Sequence, residues 1–139
     1  MSVENNKAIV RRFYHELVNH GRLELADDLM SSEYVEYGNP SNSGIDGFKE
    51  FVTRLSGAFP DLRVSIEDLI AEGDKVVARV MVCATHRGTF MGSIAPTGTK
   101  VSFSGIDIFR IADGKILGRW NQRDLLGLMT QLGVDSLPK

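Results

Sequence analysis

The second half of the chain fixes its fold class. Four long runs rich in β-branched and aromatic residues, 62–74, 75–90, 100–114 and 115–124, follow one another with only short breaks. The breaks are Glu72-Gly73-Asp74, the PTGT stretch and Ala112-Asp113-Gly114. Glycine and aspartate there supply the backbone freedom that tight reversals need. A parallel crossover requires about a dozen connecting residues, so these runs read as an antiparallel meander.

The first half has a different period. Ile9, Phe13 and Leu17 recur every fourth residue, Val10, Tyr14 and Val18 widen the stripe, and Gly21 ends it. LELADDLM continues the helical pattern, EYVEY alternates as a short strand, and GNPSNSG is a turn. In GIDGFKEFVTRLSGAF, Phe48, Phe51, Val52 and Leu55 again sit at helical spacing, and Pro60 closes the element. Helices gathered ahead of an antiparallel sheet define an α+β fold, with the helices packed on one sheet face. At 139 residues, with no linker or repeat, the whole chain 1–139 is expected to form one domain.

Charge and composition narrow the partners. The formal net charge is −2 with both signs interspersed, so no basic field exists to hold a nucleic acid or an anionic membrane. No run approaches the ~20 apolar residues of a membrane span, and the polar start lacks a signal-type apolar region. The expectation is a cytoplasmic protein. The one cysteine, Cys83, lies in VVARVMVCA and reads as a buried, inert thiol.

Two motif-like stretches dissolve on inspection. In HELVNH, His15 and His20 are five apart, which turns them about 140° around a helix, away from a shared metal-binding face. With His86 and Cys83 the only other soft ligands, no metal site is expected. GSIAPTGTK has the wrong glycine spacing for a phosphate loop and reads as a hairpin connection. No dinucleotide fingerprint or nucleophile elbow is present, so no cofactor is expected.

The chemical interest lies in polar residues inside strands. Alternation in SFSGIDIFRI puts Asp107 on one face with Phe103, Gly105, Phe109 and Ile111. In KILGRWNQRD it groups Ile116, Gly118, Trp120, Gln122 and Asp124, with Leu117, Arg119, Asn121 and Arg123 opposite. A carboxylate among aromatics is a costly ion, and such a group makes a competent proton donor or acceptor. Asp124 and Asp107 are therefore the candidate acid/base groups. The alternatives are that Asp124 caps a tail helix starting at Leu125 and that Asp107 pairs with Arg119 or Arg123. Tyr14 and His86 are candidate pocket residues, set against core packing for the first and an exposed strand end for the second.

The segments RRFYHELVN, AFPDLRVSIEDLIAEGDKVVARV, THRGTF, PTGTKVSFSGIDIFRIADGKI and W-N-x-x-D-x-x-G-L-x-x-Q-L-G together resemble the SnoaL-like polyketide cyclases of the NTF2-like superfamily, over about residues 5–134. The resemblance implies a cone in which a curved antiparallel sheet wraps helices around a hydrophobic pocket, often dimeric through the sheet. It implies an intramolecular aldol condensation without metal or cofactor on a polyketide-like ester. Asp124 is then the acid/base, Asp107 the second polar group, and Tyr14, His86, Trp120 and Asn121 the lining. Many relatives carry histidine at the position of Asp107 and Asp-His where Glu36-Tyr37 stand here, so the polar lining differs. Asn121 and Asp124 alternate to opposite faces, and only one is expected to point inward unless a bulge intervenes. The rival functions are a non-catalytic ligand-binding module and a ketosteroid-isomerase-like or epoxide-hydrolase-like enzyme.

Overall fold

A computed structural model describes residues 2–134. Helix α1 (Val3–Arg12) begins at Ser2, whose side chain accepts from the Asn5 amide, and runs on as a π-helical turn, Phe13–Val18. A 3₁₀ turn (Leu23–Leu25), α2 (Ala26–Leu29), β1 (Met30–Glu36), a second 3₁₀ turn (Pro40–Asn42) and α3 (Gly44–Ala58) complete the first half. The meander follows as β2 (Arg63–Glu72), β3 (Lys75–Thr85), β4 (Lys100–Ala112) and β5 (Lys115–Arg123), and α4 (Leu125–Gln131) ends it.

The strands form one curled sheet in the order β1-β5-β4-β3-β2, antiparallel except that β1 runs parallel to β5. The four meander strands pair antiparallel as expected, and the short strand β1, for which the sequence set no direction, joins them in parallel. A strand arriving from the helical half can enter in either direction, because its connection to β5 is long enough for a parallel crossover. Tail segment LELADDLM also gives up Met30 to β1.

The concave face carries the core. Val76, Ala78, Val80 and Val82 of β3 and Phe103, Phe109 and Ile111 of β4 are buried against Val10, Phe13 and Leu17. Phe13 sits at the centre, with ring centroids 5.3 Å from Phe109 and 5.4 Å from Phe48. Asn19 fastens the end of the π turn to β2, its amide donating to the Val64 carbonyl at 2.9 Å and accepting from the Val64 amide at 2.8 Å. This tie occupies backbone groups on an edge strand.

The register of β5 decides which polar groups face inward. Arg110 pairs with Gly118 but Ile111 pairs with Ile116, so Leu117 is an extra residue and the alternation inverts there. Ile116 is inward before the bulge; Arg119, Asn121 and Arg123 are inward after it, opposite Phe109, Asp107 and Gly105. Trp120 is turned to the convex face, where it stacks on Tyr37 at 4.2 Å. Tyr37 in turn lies flat over Gly118, where any β-carbon would collide with its ring. Cys83 is exposed on that same face, contrary to the buried thiol the apolar run suggested, because strand alternation puts it beside Ser102.

Candidate active site

The concave face, α3 and the π turn enclose a cavity of about 790 Å³. Its walls are apolar, with Phe48, Phe51, Leu55, Phe59, Phe90 and Leu128 among them. Polar side chains reach the lining as well, and Tyr14, Glu36, Arg119, Asn121 and Arg123 among them are grouped around Asp107. A large apolar hollow with a few convergent polar groups is the usual form of a small-molecule site.

Asp107 lies immediately behind this polar patch and is fully buried. Arg123 grips it in a fork, Nη1 donating to Oδ1 at 2.7 Å and Nη2 to Oδ2 at 3.1 Å. The Tyr14 hydroxyl donates to Oδ2 as well. Gly105 makes the fork possible: a β-carbon there would lie 2.5 Å from Nη1 of Arg123. The π turn makes the tyrosine contact possible, since the Asn19 amide bonds back to the Tyr14 carbonyl five residues earlier and the widened turn re-aims the side chain.

A second ion pair abuts the first. Arg119 donates from Nε to Oε1 of Glu36 at 3.2 Å and from Nη2 to Oε2 at 3.1 Å, and Tyr34 donates to Oε2 at 2.6 Å. Arg119 Nη1 stands 3.8 Å from Oδ2 of Asp107, which links the pairs. Phe13 and Phe48 flank its guanidinium, at 5.4 and 5.7 Å from the ring centres. Two carboxylates thus face two guanidiniums, and the charge closes locally, as burial demands.

Burial, reinforced by the Asp107 carboxylate, pushes the Tyr14 phenol well above its ordinary pKa. Burial does the same for Tyr34, opposed by Arg119 and helped by Glu36. Burial also works against the Arg119 cation, but Tyr34, Asp107 and Glu36 outweigh it and raise its pKa. Both phenols therefore stay protonated and act as donors.

The structure brings together Tyr14, Asp107 and Asn121 among the residues singled out in the sequence. It separates the others from the cavity. Asp124 is exposed and caps α4, its Oδ1 accepting the Gly127 amide at 2.9 Å. It shares the face of Trp120, as alternation required, but the bulge at Leu117 makes that face the outer one. Trp120 is likewise outside the cavity. His86 is fully buried, not at an exposed strand end, and does not reach the lining: its Nδ1 accepts from the Thr97 amide at 3.2 Å and meets the Thr97 hydroxyl at 3.0 Å. That ring ties the 86–99 connection together.

Glu36 was noted in the sequence only as a departure from relatives and Arg119 only as a partner for Asp107. Their sequence signal is a charged residue at an inward position of each of two strands; the cross-strand pairing of Glu36 with Arg119 completes it. Among the described residues, no group of three or more His, Cys, Asp or Glu side chains is placed to hold a metal ion.

The sequence pattern described as SnoaL-like polyketide cyclase matches residues 8–132. The chain belongs to the SnoaL-like polyketide cyclase family. Within that family it is 33% identical over 131 residues to the aklanonic acid methyl ester cyclase DnrD of Streptomyces peucetius, covering 90% of this chain and 88% of that one. It matches the aklanonic acid methyl ester cyclase DauD of Streptomyces sp. strain C5 equally well, over 90% and 80% of the two chains. Among solved structures, TsrD from Streptomyces laurentii superposes with a TM-score of 0.87 at 33% identity, over 96% of this chain and 98% of that one. A SnoaL-like protein from Jannaschia sp. CCS1 does so at 0.85 and 26%, over 96% and 94%.

Proposed function

We propose that this chain catalyses an intramolecular aldol cyclisation of a hydrophobic, carbonyl-bearing, polyketide-type small molecule, with Tyr14 and Asp107 as a two-membered proton relay. The observation that carries the reading is the Tyr14 hydroxyl, in the wall of a largely apolar cavity, held on a buried, arginine-gripped carboxylate. Cyclase activity on an aklanonic acid ester in relatives one-third identical supports the reaction class.

A methylene between carbonyls is already acidic, so one positioned acceptor suffices. Its proton passes to the Tyr14 oxygen as the phenol proton moves to Oδ2 of Asp107. The enolate carbon then forms a bond to the ketone carbon, and the carbonyl π pair becomes an alkoxide. That alkoxide takes the phenol proton, and Asp107 returns its own to Tyr14. Every proton and electron pair is conserved, so the cycle asks for no redox partner. Arg119 and Arg123 stabilise the negative charge from fixed positions in a low-dielectric wall, and the apolar walls fold the chain of the substrate so that its two ends meet.

The active species is proposed to be a cytoplasmic homodimer. Ile70, Val77, Ile108 and Trp120 are successive cross-strand partners and form an apolar row across the convex face. Ile70 is 64% exposed and Trp120 36%, and a second copy laid sheet to sheet would cover them.

The test is turnover of aklanonic acid methyl ester, followed by chromatography. Wild type should cyclise it, and Tyr14→Phe and Asp107→Asn should each lower kcat by about 10²–10⁴-fold, the range for a lost proton-transfer group. Unchanged kcat in both variants would remove the relay.

A further inference from the structure

Asn19 lies in the cavity wall, and both ends of its side-chain amide are taken by the backbone of β2. Nδ2 donates to the Val64 carbonyl at 2.9 Å and Oδ1 accepts the Val64 amide at 2.8 Å. The Asn19 backbone amide donates to the Tyr14 carbonyl at 2.8 Å. One residue therefore closes the π turn and fastens it to the sheet.

The fastening lies on a short path to the relay. Val64 pairs with Val82 of β3, and Val82 with Phe103 of β4, all three buried. Asp107 follows Phe103 by four residues on the same face of β4, so the ladder that Asn19 grips also carries the carboxylate. Tyr14 stands one π turn before Asn19. Among the described residues, Tyr14 and Asn19 make the only side-chain hydrogen bonds from this turn to the sheet. We infer that Asn19 is a positioning residue for the proton relay, its two bonds to Val64 holding the π turn where the Tyr14 hydroxyl reaches Asp107. The inference rests on the relay proposed above and adds a residue that acts through Tyr14.

Asparagine suits the place because a strand residue presents one N–H and one C=O side by side, and a carboxamide answers both. Aspartate answers only the N–H and sets its second oxygen against the Val64 carbonyl. A misplacement of about 1 Å at a reacting group is enough to cost about 10²-fold in rate.

The test compares Asn19→Ala with Gln131→Ala. Gln131 makes a like two-bond clamp on Ser102 of β4, at 2.9 and 2.7 Å and outside the cavity lining, so its loss removes similar bonds without touching the turn. Tyrosine labelled with carbon-13 at Cζ reports the phenols directly, and the Tyr14 signal is the one missing from Tyr14→Phe. In Asn19→Ala that signal should shift upfield as the hydroxyl leaves the carboxylate, while the Tyr34 signal stays. Turnover of aklanonic acid methyl ester should lose about 10–10²-fold in kcat with KM within about twofold. Gln131→Ala should keep the wild-type signal and kcat. Asn19→Asp, which retains the bond from the Val64 amide, should shift the signal the same way by less, and covers the case in which the alanine variant does not fold. An unmoved Tyr14 signal in the Asn19 variants would overturn the inference and leave the relay standing. An equal fall in kcat in Gln131→Ala would overturn it too. The spectra need no substrate: a Tyr14 signal that moves in a protein unable to cyclise the ester would keep Asn19 as the residue that aims Tyr14 and discard the relay.

Discussion

The Tyr14 hydroxyl donates to Oδ2 of Asp107 across 93 positions of sequence, joining the π turn at the end of α1 to the middle of β4. The contact fixes where a proton is held in the cavity wall, and it links folding to alkaline pH. Tyr14 and Tyr34 both have phenols raised above the ordinary value of about 10. Their native-state contribution is complete below that value. Above it the unfolded chain loses protons that the folded chain keeps, so stability falls as pH climbs from about 10 toward the folded pKa values. Urea unfolding at a series of alkaline pH values should show this decline, and Tyr34→Phe should make it shallower by about one proton. A decline of the same slope in Tyr34→Phe would contradict the assignment.

The Glu36–Arg119 pair should be costly to break and cheaper to remove. Arg119→Met alone leaves a buried carboxylate without its fork and should cost about 3–5 kcal/mol, while the double methionine variant should recover a good part of that. Denaturant midpoints of the two variants and wild type measure the difference. Equal losses would mean the pair is not coupled.

Asp124 caps α4 from an exposed position away from the cavity lining. Asp124→Ala should lower stability by about 1 kcal/mol, the usual effect of a lost N-cap, and leave kcat as it was. A large fall in kcat at unchanged stability would return Asp124 to the active site.

On the convex face, Ile108 lies between Val77 and Trp120 in the apolar row. Ile108→Lys should convert a dimer to a monomer in sedimentation velocity, since a charge at the centre of an apolar contact is not easily satisfied. Wild type sedimenting as a monomer would remove the dimer from the account.

Much of this architecture was legible in the sequence because local patterns agreed with global packing. In β4 the alternation is unbroken, so Phe103, Asp107 and Phe109 were placed on the buried face from spacing alone. In β5 the same reasoning held only to Leu117: one inserted residue exchanged the two faces, putting Trp120 and Asp124 outside and Arg119, Asn121 and Arg123 inside. Nothing local announces a bulge of that kind. Glu36 became a site residue through the parallel pairing of β1 with β5, a long-range contact invisible to periodicity. Tyr14 was readable as a helix-shoulder residue, but its aim depends on the π turn, which FYHELV does not signal.

The relay is tested most directly by proton exchange at the activated methylene of aklanonic acid methyl ester in deuterated buffer, followed by NMR before ring closure. Wild type and Asp124→Ala should both speed deuterium uptake at that carbon, and Tyr14→Phe and Asp107→Asn should leave it near the uncatalysed rate. Uptake as fast in Asp107→Asn as in wild type would show that the proton goes elsewhere.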